Sequence, residues 1–112
     1  MKKLTVIISP GRFDDVKQLF ESCAVYGMMI TNIMGYGNQK GFPTVYRGVK
    51  TPTNILMKTK VETVLDDETA EVLVKLITGK MATGNIGDGK IFLEDIPDIV
   101  RIRTCERGEA AL

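Results

Sequence analysis

The stretch LTVIISPGRFDDVKQLFESCAVYG, residues 4–27, holds a strand pattern followed by a helix pattern. Residues 4–10 (LTVIISP) are rich in β-branched side chains and lead into Pro-Gly, which indicates a largely buried strand that ends in a turn. Apolar residues then recur at helical spacing, and Gly27 stands where a C-terminal cap belongs; they are Phe13, Val16, Leu19, Phe20 and Cys23. We therefore predict a strand packed against an amphipathic helix.

The following segments continue this alternation. Residues 28–36 (MMITNIMGY) and 56–65 (LMKTKVETVL) have strand character, and the short run KIFL near residue 91 does too. Asp66 and Asp67 can cap a second helix that ends before Gly79. The order β-α-β-β-α-β predicts the α+β class, as a ferredoxin-like βαββαβ sandwich whose antiparallel sheet carries two helices on one face.

Between the second and third strands, residues 37–54 mix glycine, proline, lysine and threonine without any period. Connections longer than about 12 to 15 residues inside a compact domain are usually functional or disordered. Tyr46 and Arg47 look like contact residues, because Tyr and Arg are enriched among interface anchors. We predict a long loop that meets a partner, and disorder without a role is the alternative.

Length and composition limit the classes of function that the chain can have. The 112 residues favour one domain, and 44% hydrophobic with 26% charged residues is ordinary for a folded globular protein. A net charge of +1 provides no global attraction to nucleic acid or an anionic membrane. Histidine is absent and the two cysteines are far apart, which excludes the usual zinc sites. The apolar run after Met1 is too short for a signal peptide, so we expect a cytoplasmic location.

Three features point to an anion site. Residues 83–90 (TGNIGDGK) offer backbone amides that lack bulky neighbours, and successive amides of this kind form nests that bind phosphate. Lys90 adds a point charge, and Arg101 and Arg103 carry forked donors on one face of an extended chain. Plainer explanations stay open: glycine serves ordinary turns, this is not a Walker motif, and paired arginines often lie on a solvated strand edge.

Catalysis finds little support. No Ser or Cys has a plausible base, and no pair of carboxylates is placed together in a pocket by periodicity. Glu62 shares a strand face with Lys58 and Lys60, which favours an ion-pair partner over a general base. A single-strand RNA binder is disfavoured, because the central strands lack the aromatic pair that base stacking needs. We expect a binding protein, not an enzyme.

The chain resembles the PII nitrogen-regulatory signalling proteins over essentially its whole length. The matching stretches are MKK at the start, GYGNQKG (35–41), YRG (46–48), TGNIGDGKIF (83–92) and VRIRT (100–104) with the following Glu106, Arg107, Gly108 and Glu109. The stretch TGNIGDGKIFLEDI fits the family's C-terminal signature at every specified position. The resemblance implies one domain over residues 1–112, with a flexible T-loop at about 37–55, a glycine-rich phosphate loop at 82–90 and an extended C-terminal segment at 98–112.

The resemblance further implies a homotrimer that binds ATP or ADP in clefts between subunits, with phosphates held by the glycine loop and Lys90 of one subunit and the two arginines of the next. Gln39 matches the ligand of magnesium in the ATP state that also holds 2-oxoglutarate, and Lys58 matches the lysine that pairs with that acid. Ile7 and Val64 match positions lining the base. The implied nucleotide residues are Ile7, Gly35, Gly37, Asn38, Gln39, Val64, Gly87, Asp88, Gly89, Lys90, Arg101 and Arg103; those for 2-oxoglutarate are Gln39, Lys58 and Gly87.

The implied output is docking of the T-loop, through Tyr46 and Arg47, on an ammonium transporter or a nitrogen-metabolism enzyme. The membrane is then reached only through a transporter, and nucleic acid is not a partner. An alternative keeps the fold and the nucleotide site in an adenylate sensor that ignores 2-oxoglutarate and regulates another transporter or enzyme. Slow ATP hydrolysis stays open.

Departures from the family pattern qualify these implications. Thr51 stands where relatives carry the uridylylated tyrosine, and Val49 cannot be phosphorylated, so neither usual modification can occur at these positions. Asn38 replaces a usual arginine and removes a charge near the phosphates, while Met29 replaces a usual threonine. Both changes bear on the preference between ATP and ADP.

Overall fold

The computed structural model describes residues 1–36, 44–46, 49–51 and 55–112, and for 44–46 and 49–51 it describes the backbone alone. The described strands are β1 (Lys2–Ile8), β2 (Met29–Tyr36), β3 (Thr44–Tyr46), β4 (Val49–Thr51), β5 (Ile55–Leu65) and β6 (Lys90–Asp95). The described α-helices are α1 (Phe13–Ser22) and α2 (Asp67–Met81), and short 3-10 turns span Pro10–Arg12 and Gly108–Ala111.

Four strands form one antiparallel sheet in the order β2-β5-β1-β6. Because β5 lies between β1 and β2, and β1 lies between β5 and β6, each helix connects two strands that are not neighbours. This is the split βαβ arrangement of a ferredoxin-like fold, and the predicted βαββαβ order is confirmed. Strands β3 and β4 pair with each other as a separate two-stranded sheet inside the stretch predicted as a long loop.

The core lies between the helices and one face of the sheet. Leu4, Val6 and Ile8 alternate along β1 with their side chains toward the helices, where they are at most 2% exposed. They belong to one buried cluster with residues of α1 and α2, among them Val16, Phe20, Leu73 and Ile77. The opposite face of the sheet stays partly exposed, since Met29 is 56% and Phe92 is 50% accessible. No described helix is long and apolar enough to cross a membrane.

Helix α2 starts as predicted but ends later. Asp66 is its N-cap, and the carboxylate accepts the Thr69 amide at 3.0 Å. The predicted end at Gly79 is wrong, because the helix continues through this residue to Met81. Ile77 and Met81 lie one turn apart and are both 5% exposed. Burying this last turn outweighs the helix cost of a glycine, which is about 1 kcal/mol.

Helix α1 ends earlier than predicted, at Ser22, and Gly27 does not cap it. Ala24 takes the left-handed conformation with φ 58°. Its amide donates to the Glu21 carbonyl, while the Val25 amide donates to the Phe20 carbonyl, both at 3.0 Å. This is a Schellman motif with alanine at the position that glycine usually occupies. Buried Val25 and Phe20 supply its apolar contact, so packing of Val25 fixes where the helix stops.

We predict that Ala24→Gly raises the free energy of unfolding by about 1 kcal/mol, because glycine adopts the left-handed conformation without the steric cost of a Cβ. Urea unfolding at fixed protein concentration measures the change. The matched control is Ala82→Gly, since exposed Ala82 has φ −70° and offers no strain to relieve. Equal effects of the two substitutions would contradict the prediction.

Candidate functional site

Five of the predicted site residues lie on one face of the sheet, opposite the helices. Residues paired directly across neighbouring strands share a face. Ile7 pairs with Lys60 on one side and with Lys90 on the other, and the alternation along the strands extends this face to β2. The five residues are Ile7, Gly35, Lys58, Val64 and Lys90.

The glycine loop, residues 83–89, joins α2 to this face. Gly84, Gly87 and Gly89 all have positive φ angles, of 82°, 102° and 106°. At Gly89 the requirement is also spatial, because an ideal Cβ there would lie 2.0 Å from the Ile7 carbonyl oxygen. The loop therefore reaches β6 by passing directly against the backbone of β1.

The Asp88 side chain closes the glycine loop from within. Its carboxylate accepts the Thr83 amide at 2.7 Å and the Gly84 amide at 3.1 Å, and it also accepts the Thr83 hydroxyl. These hydrogen bonds, with that of the Thr83 hydroxyl first, lower the pKa of Asp88. Asp88 therefore binds the loop's own donors, and its carboxylate shapes the loop.

Other amides of the loop remain able to bind an anion. Among the described residues, none accepts a hydrogen bond from the amides of Ile86, Gly87 or Gly89. Lys90 follows at once, is exposed, and forms no ion pair with the described part of the chain. Neutral amides beside a lysine suit phosphate oxygens, which accept several hydrogen bonds and need a counter-charge. The residues present thus fit the phosphates of a nucleotide.

The predicted arginines lie in a C-terminal segment that is folded back, so the extended segment expected at 98–112 is not observed. Val100 forms a bridge to Arg107, and the chain turns between them with Cys105 at φ 60°. Asp98 holds this turn closed by accepting Arg107 Nε at 2.8 Å and the Gly108 amide at 3.1 Å. The Arg107 hydrogen bond is the main cause that lowers the pKa of Asp98.

The two arginines have different surroundings. Arg101 is half-buried, and its guanidinium donates to Glu106 Oε1 and to the Leu112 carbonyl oxygen, both at 2.9 Å. Arg103 is exposed and makes no ion pair with any residue that the structure describes. A guanidinium has five N–H donors, so Arg101 keeps donors for a further acceptor while Glu106 orients it.

The glycine loop and the arginines lie at opposite ends of β6. Lys90 pairs with Ile7 at one end of β1, whereas Asp95 pairs with Lys2 at the other end. The six residues of β6 separate the two ends by about 20 Å at 3.4 Å per residue. No described hydrogen bond or ion pair joins Arg101 or Arg103 to the loop. A single chain therefore does not bring the predicted phosphate residues together.

The two residues expected to line the adenine base, Ile7 and Val64, also lie at opposite ends of the sheet. Ile7 lies against Gly89, at the loop end of the sheet. Val64 pairs with Lys3, toward the opposite end, and lines a cleft of about 280 Å³ with Gly27 and the chain end at Leu112. Val64 thus belongs with the arginines, and Ile7 belongs with the glycine loop.

An ion cluster stands on the same sheet face. Glu62 contacts Lys3 Nζ at 2.7 Å and Lys60 Nζ at 3.1 Å, and these two lysines, Lys3 first, lower its pKa. The predicted ion-pair role of Glu62 is confirmed. Sequence reasoning missed Lys3 because it lies on another strand, and only the β1–β5 register brings it close. Lys58 lies beside Gly35, whose ideal Cβ would be 3.4 Å from Lys58 Cγ.

Several predicted site residues fall between residues 37 and 54, in the stretch predicted as a long loop. Gly37, Asn38, Gln39 and Arg47 lie outside the described residues, and only the backbone of Tyr46 is described. The same holds for the Val49 and Thr51 positions, where the backbone of β4 is described. Within the described ranges, no group of three or more Cys, Asp or Glu side chains could hold a metal ion.

Comparison with known proteins matches the chain to a single protein family. Residues 1–106 match the family described as Nitrogen regulatory protein P-II. The chain is 42% identical to nitrogen regulatory protein P-II of Rhizobium meliloti (strain 1021) over 112 residues. It is 38% identical to nitrogen regulatory protein GlnK of Escherichia coli (strain K12) and 40% identical to nitrogen regulatory protein P-II of Rhodobacter capsulatus. In each case the alignment covers 100% of both chains.

We predict that Gly89→Ala lowers the free energy of unfolding by about 2 to 4 kcal/mol, because the new Cβ displaces either β1 or the loop. The matched control is Gly84→Ala, where φ is also positive but no atom lies within 4 Å of the ideal Cβ. That control is expected to cost about 1 kcal/mol. Urea unfolding compares the two, and equal losses would show that the contact with Ile7 imposes no constraint.

Proposed function

The chain belongs to the nitrogen regulatory protein P-II family, and we propose that it is a homotrimeric signal-transduction protein that binds ATP or ADP between its subunits. Its output is binding to a partner through the T-loop, which regulates nitrogen metabolism or ammonium transport. Its relatives are named as nitrogen regulatory proteins, which supports a regulatory role over an enzymatic one.

The observation that carries this proposal is the division of the site between the two ends of β6. One half-site, here called the loop half, contains the glycine loop, Lys90 and Ile7. The other, the arginine half, contains Val64, Arg101 and Arg103. Since β6 separates them by about 20 Å, a second copy must supply the arginine half for both to meet one nucleotide.

A ring of copies satisfies this requirement. Each chain offers its loop half to one neighbour and its arginine half to the other, which is a head-to-tail contact, and such contacts close into rings when the rotation allows. The exposed side chains of Met29 and Phe92 on the face opposite the helices favour burial of this face in the assembly. The number three comes from the family resemblance.

The charges of the two halves complement a polyphosphate. The loop half supplies neutral amides and the ammonium of Lys90, and the arginine half supplies two guanidiniums, so three positive charges meet the phosphates. Arginine and phosphate form bidentate, charge-assisted hydrogen bonds. The adenine base would lie between apolar Ile7 of one copy and Val64 of the next.

Strands β2 and β5 flank the T-loop in sequence, so they can connect the nucleotide site to it. Lys58 and Gly35 are neighbours on these strands, on the same face as the nucleotide residues. We propose that 2-oxoglutarate, with magnesium held by Gln39, binds Lys58 and selects one conformation of the T-loop. A ligand shifts such an equilibrium only by its differential affinity for the two conformations.

The alternative is an adenylate sensor that does not respond to 2-oxoglutarate. Asn38, which replaces a usual arginine, bears on the preference between ATP and ADP in either case. The two proposals share the divided nucleotide site and differ only in whether 2-oxoglutarate strengthens ATP binding.

The divided site predicts complementation between two defective chains. Lys90→Ala removes a charge from the loop half, and Arg103→Ala removes one from the arginine half, and each is expected to weaken ATP binding by about 1 to 3 kcal/mol. When the two variants are unfolded and refolded together in equal amounts, about a quarter of all sites combine two intact halves, and every such site lies in a mixed ring. Calorimetric titration with ATP should then show a fraction of sites at the wild-type affinity.

The controls are each variant refolded alone, which should show no such fraction. Absence of the high-affinity fraction from mixed rings, despite weakened binding in both parents, would place both halves within one chain and contradict the proposal.

A further inference from the structure

Arg12 belongs to neither the loop half nor the arginine half of the proposed site. It ends the 3-10 turn Pro10–Arg12 that connects β1 to α1, and its side chain is 26% exposed. The guanidinium Nη1 donates to the Met81 carbonyl oxygen at 2.7 Å. Met81 is the last residue of α2, where carbonyl groups have no intrahelical partner. Arg12 therefore closes the end of the helix that leads into the glycine loop.

The same nitrogen of Arg12 lies 3.9 Å from Asp88 Oδ1. Asp88 is the residue that accepts the Thr83 and Gly84 amides. Arg12 thus contacts the last residue of α2 and Asp88, and Asp88 in turn accepts hydrogen bonds from the first residues of the loop. The two contacts of Arg12 join segments that are far apart in the chain, so sequence patterns do not indicate them.

The glycine loop needs contacts of this kind to stay ordered. Its three glycines with positive φ lose more conformational entropy on ordering than other residues would. Gly89 is held against Ile7 at one end, while the other end depends on the hydrogen bonds of Asp88. In addition, an uncompensated carboxylate beside free amides would repel an anion, and the guanidinium of Arg12 offsets its charge.

We propose that Arg12 is a positioning residue for phosphate binding, which holds Asp88 and the end of α2 together so that the amides of Gly87 and Gly89 face the ligand. The ligand class is a nucleoside diphosphate or triphosphate, and this inference rests on the proposed function. Arg12 acts through Asp88 and the loop and is not placed in contact with the nucleotide.

Two readouts test the proposal on the full chain. Arg12→Ala should accelerate hydrogen exchange at the Thr83 and Gly84 amides by about tenfold, because the Asp88 carboxylate that accepts their hydrogen bonds loses its contact with Arg12. Calorimetry with ATP should show an affinity about five- to tenfold lower for the same variant. Unchanged exchange at Val6 and Val61 in the sheet would confirm that the variant is folded.

Matched variants separate positioning from general stability. Arg12→Lys retains the charge and one donor group, so it should recover part of the ATP affinity and part of the amide protection. Lys17→Ala removes an exposed charge from the adjacent helix, where Lys17 lies 3.9 Å from Glu21, and should leave both readouts unchanged.

The outcomes distinguish this inference from the proposed function. If the wild-type chain binds ATP and Arg12→Ala changes neither the exchange nor the affinity, the role of Arg12 is overturned while the nucleotide site stands. If the wild-type chain binds neither ATP nor ADP, the proposed function fails and the phosphate role of Arg12 fails with it. Weaker binding with faster loop exchange, and partial recovery with lysine, would support the role.

Discussion

Antiparallel pairing of β6 with β1 is the constraint on which the rest of the structure depends. It places Lys90 beside Ile7 and Asp95 beside Lys2, so that the glycine loop and the C-terminal segment leave the sheet at opposite ends. The contact of Gly89 with the Ile7 carbonyl fixes the loop at its end of β1. The folded C-terminal segment is fixed at the other end, where the Ile96 amide donates to the Met1 carbonyl at 3.1 Å. Under the proposed function, a second copy of the chain brings these two ends together.

The two faces of the sheet also separate the core from the residues proposed to bind nucleotide. One face holds the buried cluster with both helices, and the opposite face carries five of the predicted site residues together with the ion cluster around Glu62. Substitutions on the face opposite the helices therefore need not disturb the core. The loop is the exception, because it joins a helix on one face to residues on the other. This explains why its shape depends on contacts from three elements, namely β1, α2 and the turn that ends at Arg12.

Sequence patterns predicted the four strands of the main sheet, the two helices, the cap at Asp66 and the glycine loop, because each depends on neighbouring residues, but they did not predict β3 and β4. They failed where tertiary packing overrides local preference. Burial of Val25 stops α1 at an alanine in the left-handed conformation, and burial of Met81 carries α2 past Gly79. The C-terminal segment alternates like a strand, but the Asp98–Arg107 and Arg101–Glu106 pairs fold it into a turn. The roles of Arg12 and Lys3 depend on contacts between distant segments, which periodicity does not report.

The proposed function requires the glycine loop to bind the phosphates of an adenine nucleotide. The most direct measurement is a calorimetric titration of the purified wild-type chain with ATP and with ADP, each with and without magnesium and 2-oxoglutarate. We expect saturable binding of ATP with one nucleotide per chain, strengthened by 2-oxoglutarate in the presence of magnesium, and the coupling between the two ligands must be reciprocal. ATP binding that is indifferent to 2-oxoglutarate would favour the adenylate-sensor alternative. Absence of binding by both nucleotides under all four conditions would contradict the account.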